Sequence, residues 1–453
     1  MGSTFQNEGG GDFPVAGRES SAAGAAGNVL ARILVLGTRF LTSPFTNRAL
    51  GASGRGVLSV VGNVSSLFTI GLTPKLSVSF YRTWSGKRFS LKEYAGTSVA
   101  VGGASAGVIL GLFLVSYPVF RDGLYRNTGL LFLLLSFLAV PLLIVRDYLH
   151  SIFQMLGRMS EYNRIIRYEA AAGFLLTVLL LLAGQFTVLT ALLASIGVAL
   201  FSLGNTAWWL VRYVPSPWRV SRPLLCESLR DALKIHPAGI ATFLFLKIDI
   251  LMLNYFLPSE AVGQYFVAVT IAEVLFLIPY GTQAVLYSRV SRESSPEAAA
   301  DLSVRASRHS FYLTLAGAVA FALVGGWLVT LVGGSEYMPA VVPLRILLPG
   351  MVFQCLTMTL SPFWARKGIY GTISLTAIAV ASLNILLNVF WIPSRGISGA
   401  AWATTVSYGV NALVWLWILS RHAPGGPRAM FRIEREDFRY YRDLWQEFRE
   451  KSW

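Results

Sequence analysis

The chain has 453 residues, of which 54% are hydrophobic and only 13% charged, with a formal net charge of +15 and a mean hydropathy of +0.57. A soluble domain carries about a quarter of its residues as charges, so this composition excludes an ordinary soluble globular protein. The basic excess is scattered over many short segments, which argues against nucleic acid and for anionic lipid headgroups as its counterpart.

Residues 1–26 are rich in Gly, Ser and Ala and have no apolar core. They read as a disordered cytoplasmic tail, since a signal peptide needs a basic start and an early apolar run. Apolar stretches of membrane-spanning length follow near 28–46, 56–80, 95–118, 128–150, 166–186 and 189–211. A second set lies near 237–257, 262–287, 309–332, 341–363, 369–392 and 397–419. Basic residues crowd every second connection, at 82–92, 158–167, 212–234, 289–308 and 366–367, with about 18 Lys and Arg against about five in the intervening loops. This alternation predicts an all-α polytopic membrane protein of about twelve helices, with both termini cytoplasmic. The basic, proline-bearing segment 214–235 divides an N-lobe (27–213) from a C-lobe (236–421), and a charged amphipathic tail closes the chain at 422–453. In that tail Phe431, Phe438, Tyr441, Trp445 and Phe448 share one face, as in a helix lying among headgroups.

The two sets echo each other weakly. Leu50 and Gly56 end the first hairpin loop with the same spacing as Leu257 and Gly263 in the seventh. Six helices per half give both halves one orientation, so any repeat is parallel, about an axis along the membrane normal. Gly103, Gly107 and Gly111 make a small-residue face expected to be a packing seam. Pro44, Pro74, Pro141, Pro279 and Pro349 are expected to kink or break their helices.

Ionisable groups at membrane depth are costly and point to function. They are Arg32 and Arg39 in the first span, Lys75 at the end of the second, Arg146 and Asp147 in the fourth, Lys247 and Asp249 in the seventh, Glu273 in the eighth and Arg345 near the start of the tenth. Cations predominate, and aligning the two hairpins puts Arg39 within one position of Lys247. A cationic central cavity lined by Arg39, Lys247, Lys75, Arg32 and Arg345 would suit a phosphate or diphosphate. Lys75 and Arg345 could equally snorkel to the interface, and Arg146 and Asp147 could be structural. Lys247 and Asp249, two apart, face different directions. Asp249 and Glu273 are the candidates for proton or Na⁺ coupling. Asn384 and Asn388, one turn apart, are expected to hydrogen-bond neighbouring helices. The two cysteines and four histidines show no disulfide or metal spacing, no P-loop is present, and no cofactor is expected. Short outer loops leave no room for an extracytoplasmic catalytic domain, which argues against an enzyme.

Three segments resemble a known family. Arg48-Ala-Leu-Gly-Ala-Ser-Gly-Arg-Gly56 resembles the "R-x-LG-x-x-G-x-G" opening of polysaccharide exporters and lipid-linked oligosaccharide flippases. Lys247-Ile-Asp-Ile-Leu-Met-Leu with Val262-Gly-Gln-Tyr-Phe-Val-Ala268 is similar to their seventh-to-eighth hairpin. Leu383-Asn-Ile-Leu-Leu-Asn388, Ile392-Pro393 and Gly396-Ile-Ser-Gly-Ala-Ala-Trp-Ala-Thr404 look like their C-terminal signature. The family belongs to the multidrug/oligosaccharidyl-lipid/polysaccharide transporter superfamily. The resemblance implies a V-shaped pair of six-helix lobes that alternates between inward- and outward-open states to move polyprenyl-(di)phosphate-linked glycans. The implied partners are the lipid-linked glycan, membrane lipids and polysaccharide-assembly proteins, around a monomer in a prokaryotic cytoplasmic membrane. Members that flip the peptidoglycan precursor often carry an Arg-Asp pair in the first helix, whereas Arg39 precedes Phe40 here. Drug exporters of the superfamily often carry an acid there, and this first span has none. A cation-coupled small-molecule exporter is the alternative, and a scaffold or polymerase subunit the more distant one.

Overall fold

The computed structural model describes residues 21–85, 88–290, 293, 295–422 and 426–432, and of residues 21–36, 39, 77, 78, 81, 85, 235, 284, 288, 296, 370, 426, 427 and 429 the backbone alone. Every regular element among them is helical. In order they are α1 (Ser21–Leu72), α2 (Leu76–Ser85), α3 (Leu91–Phe120), α4 (Leu130–Met155), α5 (Met159–Leu182), α6 (Val188–Val211), α7 (Arg222–Phe256), α8 (Ser259–Ala272), α9 (Leu277–Val290), α10 (Pro296–Val332), α11 (Val341–Lys367), α12 (Tyr370–Ser420) and α13 (Gly426–Phe431). Tight 3₁₀ turns occupy Glu273–Phe276 and Ser335–Ala340. Ten stretches of the described residues are long and apolar enough to cross a bilayer. The chain is a multi-pass membrane protein.

Two of the ten stretches contain a sharp break at a glycine. α1 breaks at Gly51 (φ 65°) and α12 at Gly396 (φ 58°), both in the left-handed region that glycine alone enters without strain. A Cβ built on Gly399 would lie 2.1 Å from the carbonyl oxygen of Trp391. Residues two turns apart in a straight helix are about 12 Å apart, so the chain folds back at Gly396 and α12 is a hairpin. This explains the glycines of the third motif: one makes the turn, the other lets the arms touch.

The glycines of the first two motifs meet each other. A Cβ on Gly56 would lie 1.8 Å from the Ser259 carbonyl oxygen, and a Cβ on Gly263 would lie 1.9 Å from that of Ala52. The contact is reciprocal, since Ala52 precedes Gly56 by the same interval as Ser259 precedes Gly263. The echo between the hairpins is thus a physical two-fold contact between α1 and α8, backbone on backbone. Other contacts between the halves run through α1, which also packs on α7 and α9, and through α7, which also packs on α2 and α3.

Several sequence expectations change. The span expected at 56–80 stops at Leu72, because Pro74 cannot continue the hydrogen-bond ladder; the chain restarts as α2, whose side packs on α7 and α4. The expected linker 214–235 is mostly helix: α7 starts at Arg222, with Pro223 in its first turn where a missing N–H costs nothing. The helical chain also begins at Ser21, within the segment expected to be a tail. The Gly103–Gly107–Gly111 face meets nothing within 4 Å; Gly102, packed on Val145, makes the seam instead. Asn388 Nδ2 donates to Asn384 Oδ1 at 2.9 Å, so the two amides bond each other rather than neighbouring helices. The C-terminal tail is described to residue 432. There Met430 is buried beside Trp364 and Trp415, and the Phe431 ring packs edge-on against Phe311. Phe438, Tyr441, Trp445 and Phe448 lie outside the described residues.

Candidate functional site

The site is built around α7. At its inner part, His236 Nε2 lies 2.8 Å from the carbonyl oxygen of Gly71, the end of α1. At its outer part, Asn254 Nδ2 donates to the carbonyl of Leu124, at 3.0 Å. These two residues lie on one helix face about five turns apart, and Lys247 falls between them within about 20° of the same line. Both ends of that line are tied to the N-terminal half, so Lys247 points into the space between the halves. It sits about 15 Å inward from the outer end of its helix.

Lys247 does not stand there as a bare cation. Its Nζ donates to Glu273 Oε1 at 2.8 Å, and the two side chains are 30% and 37% exposed. Glu273 is the first residue of the 3₁₀ turn that interrupts the span between α8 and α9. Asp249, on another face of α7, is 6% exposed. Its Oδ2 accepts from the Tyr265 hydroxyl at 2.6 Å and its Oδ1 from the Ile250 N–H at 2.8 Å. Thr404 lies beside the Tyr265 hydroxyl, and Tyr408, stacked edge-on to Phe245 at 4.9 Å, lies alongside. Asp249, Tyr265 and Thr404 thus come together from three separate parts of the motifs.

A second network occupies the N-terminal half. Arg146 bonds Asp147 at 2.7 Å and Glu169 at 2.5 Å, and Glu169 accepts from Ser202 at 2.7 Å. His150 and Thr206 are 3.0 Å apart one turn along. The sequence offers no spacing that would pair Arg146 with Glu169 and Ser202, which reach it from α5 and α6. Asp147 lies three turns along the face of α4 whose Ser136 bonds Ser65 of α1 at 2.8 Å, and its side chain is 64% exposed. A carboxylate so placed faces water rather than hydrocarbon.

The remaining expected cavity residues are dispersed. Arg32 and Arg39 belong to α1, but their side chains lie outside the described residues. Lys75 is exposed in the break after α1, its ammonium about 4.0 Å from where a Cβ on Gly239 would sit. Arg345 is exposed, donates to the carbonyl of Ala322 at 3.2 Å, and borders a cavity of about 620 Å³ between α11 and α12 that is lined by Pro349, Phe353, Trp402 and Thr405. The structure brings it no contact with Lys247 among the described residues. Among the described residues Lys247 and Arg146 are both paired, and the acids beside them are Glu273, Asp249, Asp147 and Glu169.

At the end of the bundle that the basic loops mark as outer, side chains seal the halves onto backbone. Asn47 donates to Val332 O at 2.9 Å, Arg48 to Thr330 O at 3.2 Å, and the Ala52 N–H to Glu336 Oε1 at 2.9 Å. The Tyr337 hydroxyl donates to Asn47 O at 3.1 Å, and Asn127 to Leu257 O at 3.1 Å.

This all-helical, multi-pass arrangement has the fold of the multidrug/oligosaccharidyl-lipid/polysaccharide transporters, as comparison with solved structures shows. Lipid II flippase MurJ in an inward closed conformation superposes with a TM-score of 0.69 at 14% identity, over 89% of this chain and 88% of that one. A transporter of the superfamily from Pyrococcus furiosus gives 0.60 at 14% identity over 87% and 94%. An inward-facing multidrug MATE transporter gives 0.59 at 16% over 85% and 93%. No family model matches the chain. In sequence, the chain is 24% identical over 408 residues to a Haloferax volcanii protein that bears the name "Probable low-salt glycan biosynthesis flippase Agl15", covering 86% of this chain and 82% of the relative.

Proposed function

We propose that this protein flips a polyprenyl-(di)phosphate-linked oligosaccharide across the membrane by alternating access, for surface glycan assembly. The observation that carries the proposal is the likeness to a probable glycan biosynthesis flippase over 86% of the chain. The site supports it: Lys247 faces the space between the halves and can donate charge-assisted hydrogen bonds to a phosphate oxygen. Asp147 and the Arg146 network offer the hydrogen-bonding groups a hydroxyl-rich glycan needs, and the lipid tail would remain in the bilayer. The Gly56–Gly263 crossing and the Glu336 and Arg48 contacts close the outer end while cargo loads from inside. The working parts bind and move, and no covalent step is assigned to any residue.

The test is mass spectrometry of polyprenyl-linked sugars from cells with and without the protein. Accumulation of one defined lipid-linked oligosaccharide on loss is the expected result. An unchanged lipid-linked pool, in cells with no second flippase, would move the reading to a cation-coupled small-molecule exporter. That alternative draws on Asp249, a buried carboxylate that could carry a proton or Na⁺ through the cycle.

A further inference from the structure

We infer that Glu273 is a built-in counter-anion occupying the seat of the substrate phosphate on Lys247, so that cargo loads by displacing it. The inference rests on the flippase reading above. Three observations carry it. Lys247 is aimed between the halves by the His236–Asn254 line, yet its ammonium is engaged by Glu273 Oε1 at 2.8 Å. Both side chains of the pair keep about a third of their surface open (30% and 37%), unlike Asp249 at 6%, so the pair is not sealed in the core as Asp249 is. The third is the position of Glu273 in the chain. It opens a 3₁₀ turn whose next buried residues, Leu275 and Phe276, belong to the core and pack with α9, α10 and α11.

The neighbours of the pair explain why the exchange has only one mobile partner. Asp249 is held by Tyr265 and its own turn of backbone, so it cannot swing to take over Lys247. Lys247 is set by a helix anchored at both ends. Glu273, on a turn whose hydrogen-bond geometry is poorer than that of an α-helix, is the group that can move. A diphosphate offers more charge and more acceptor oxygens than one carboxylate and would win the ammonium. Glu273 then leaves into the open side of the pair, and the turn that bears it shifts against α9–α11. Loading of the anion in the cleft and rearrangement of the C-terminal half thus become one event, with an empty carrier held neutral at this point.

The experiment uses the full chain in lipid nanodiscs, with farnesyl diphosphate and inorganic diphosphate as separate probes, and reads affinity for wild type, Glu273→Gln and Lys247→Gln. The expected result is binding of farnesyl diphosphate that tightens about tenfold in Glu273→Gln, the range of ordinary coupling between sites, and is lost in Lys247→Gln. Should Glu273→Gln fail to fold, Glu273→Asp draws the carboxylate back by one methylene and is expected to tighten binding by a smaller factor. Equal affinities in wild type and the Glu273 variants, with Lys247→Gln still defective, would overturn the exchange while leaving the anion site and the flippase reading intact. Failure of the wild type to bind either probe would overturn both. Binding of inorganic diphosphate as tight as that of the farnesyl compound would keep the exchange and assign the seat to free anions, against the lipid-linked cargo.

Discussion

The two ends of the bundle are joined in different ways. At the outer end, Gly56 and Gly263 press backbone against backbone with no room for a single methyl group. At the inner end, α2 and the segment after it are held to α7 by ion pairs in which the Arg82 side chain is 55% exposed: Arg82 of α2 with Glu227 and Asp231, and Arg88, beyond α2, with Glu227 at 3.2 Å. The outer contact depends on atoms being absent, so it closes fully or not at all. The inner one depends on long, solvated side chains, each weak and each able to re-form in another geometry. A transporter that must close one end tightly and still release it gains from a join whose strength is geometric, and the looser end can follow.

The comparison breaks most sharply at the glycines. Gly56→Ala or Gly263→Ala is expected to hold the outer end apart, with transport falling about 100-fold, since overpacking costs about 1–3 kcal/mol and here the obstacle is a rigid carbonyl. Cysteine labelling at Ser53 or Ser259, 2.9 Å apart across the seam, would rise in these variants; labelling unchanged from wild type would show that the contact is not a closure.

Next in size is Tyr265→Phe, which removes the hydroxyl donor from buried Asp249. Leaving that acceptor short is expected to cost about 1–3 kcal/mol and to lower the melting temperature of detergent-purified protein, whereas Thr404→Ala, which alters a neighbour of the hydroxyl and leaves the donor in place, should cost less. Equal melting temperatures would deny the network a structural role and leave Asp249 to be tested for ion coupling alone.

Glu336→Gln keeps an acceptor for the Ala52 N–H but removes its charge. It is expected to weaken the seam by about 1 kcal/mol, since bonds to charged groups exceed neutral ones by about that amount, and to raise labelling at Ser53 less than the glycine variants do. The smallest effect is expected at the inner end. Partial burial pushes the Asp231 carboxyl up, but the Arg82 hydrogen bond and charge, with Lys234, hold it below the ordinary carboxylate range. A carboxyl lowered in the folded state contributes stability above its unfolded value, near pH 4, that is lost as the pH falls through the folded value. Protection of α2 from hydrogen exchange should therefore fall on acidification below about pH 4, and Arg82→Ala should remove that dependence.

Much of the site was within reach of the sequence, though not its pairing. Lys247, Asp249 and Glu273 stand out because a charge inside an apolar run is conspicuous. Their partners do not: Tyr265 and Thr404 are unremarkable in composition, and which face of a helix meets which neighbour is decided by tertiary packing. Arg146 and Lys247 are each paired with an acid that the sequence does not place beside them. Burial makes an unpaired charge costly, so the fold brings Glu169 to Arg146 and Glu273 to Lys247.

The same division holds for the architecture. Hydropathy and the alternation of basic loops determined that this is a membrane-spanning helical protein, because hydrocarbon tolerates only segments that satisfy their own backbone, and this requirement is local. The Leu–Gly spacing shared by residues 50–56 and 257–263 showed that two hairpins were alike. That these hairpins touch, with Gly56 and Gly263 as the point of contact, was decided only in the tertiary structure. The close approach of two backbones is a property of the space between segments, and neither segment alone contains it.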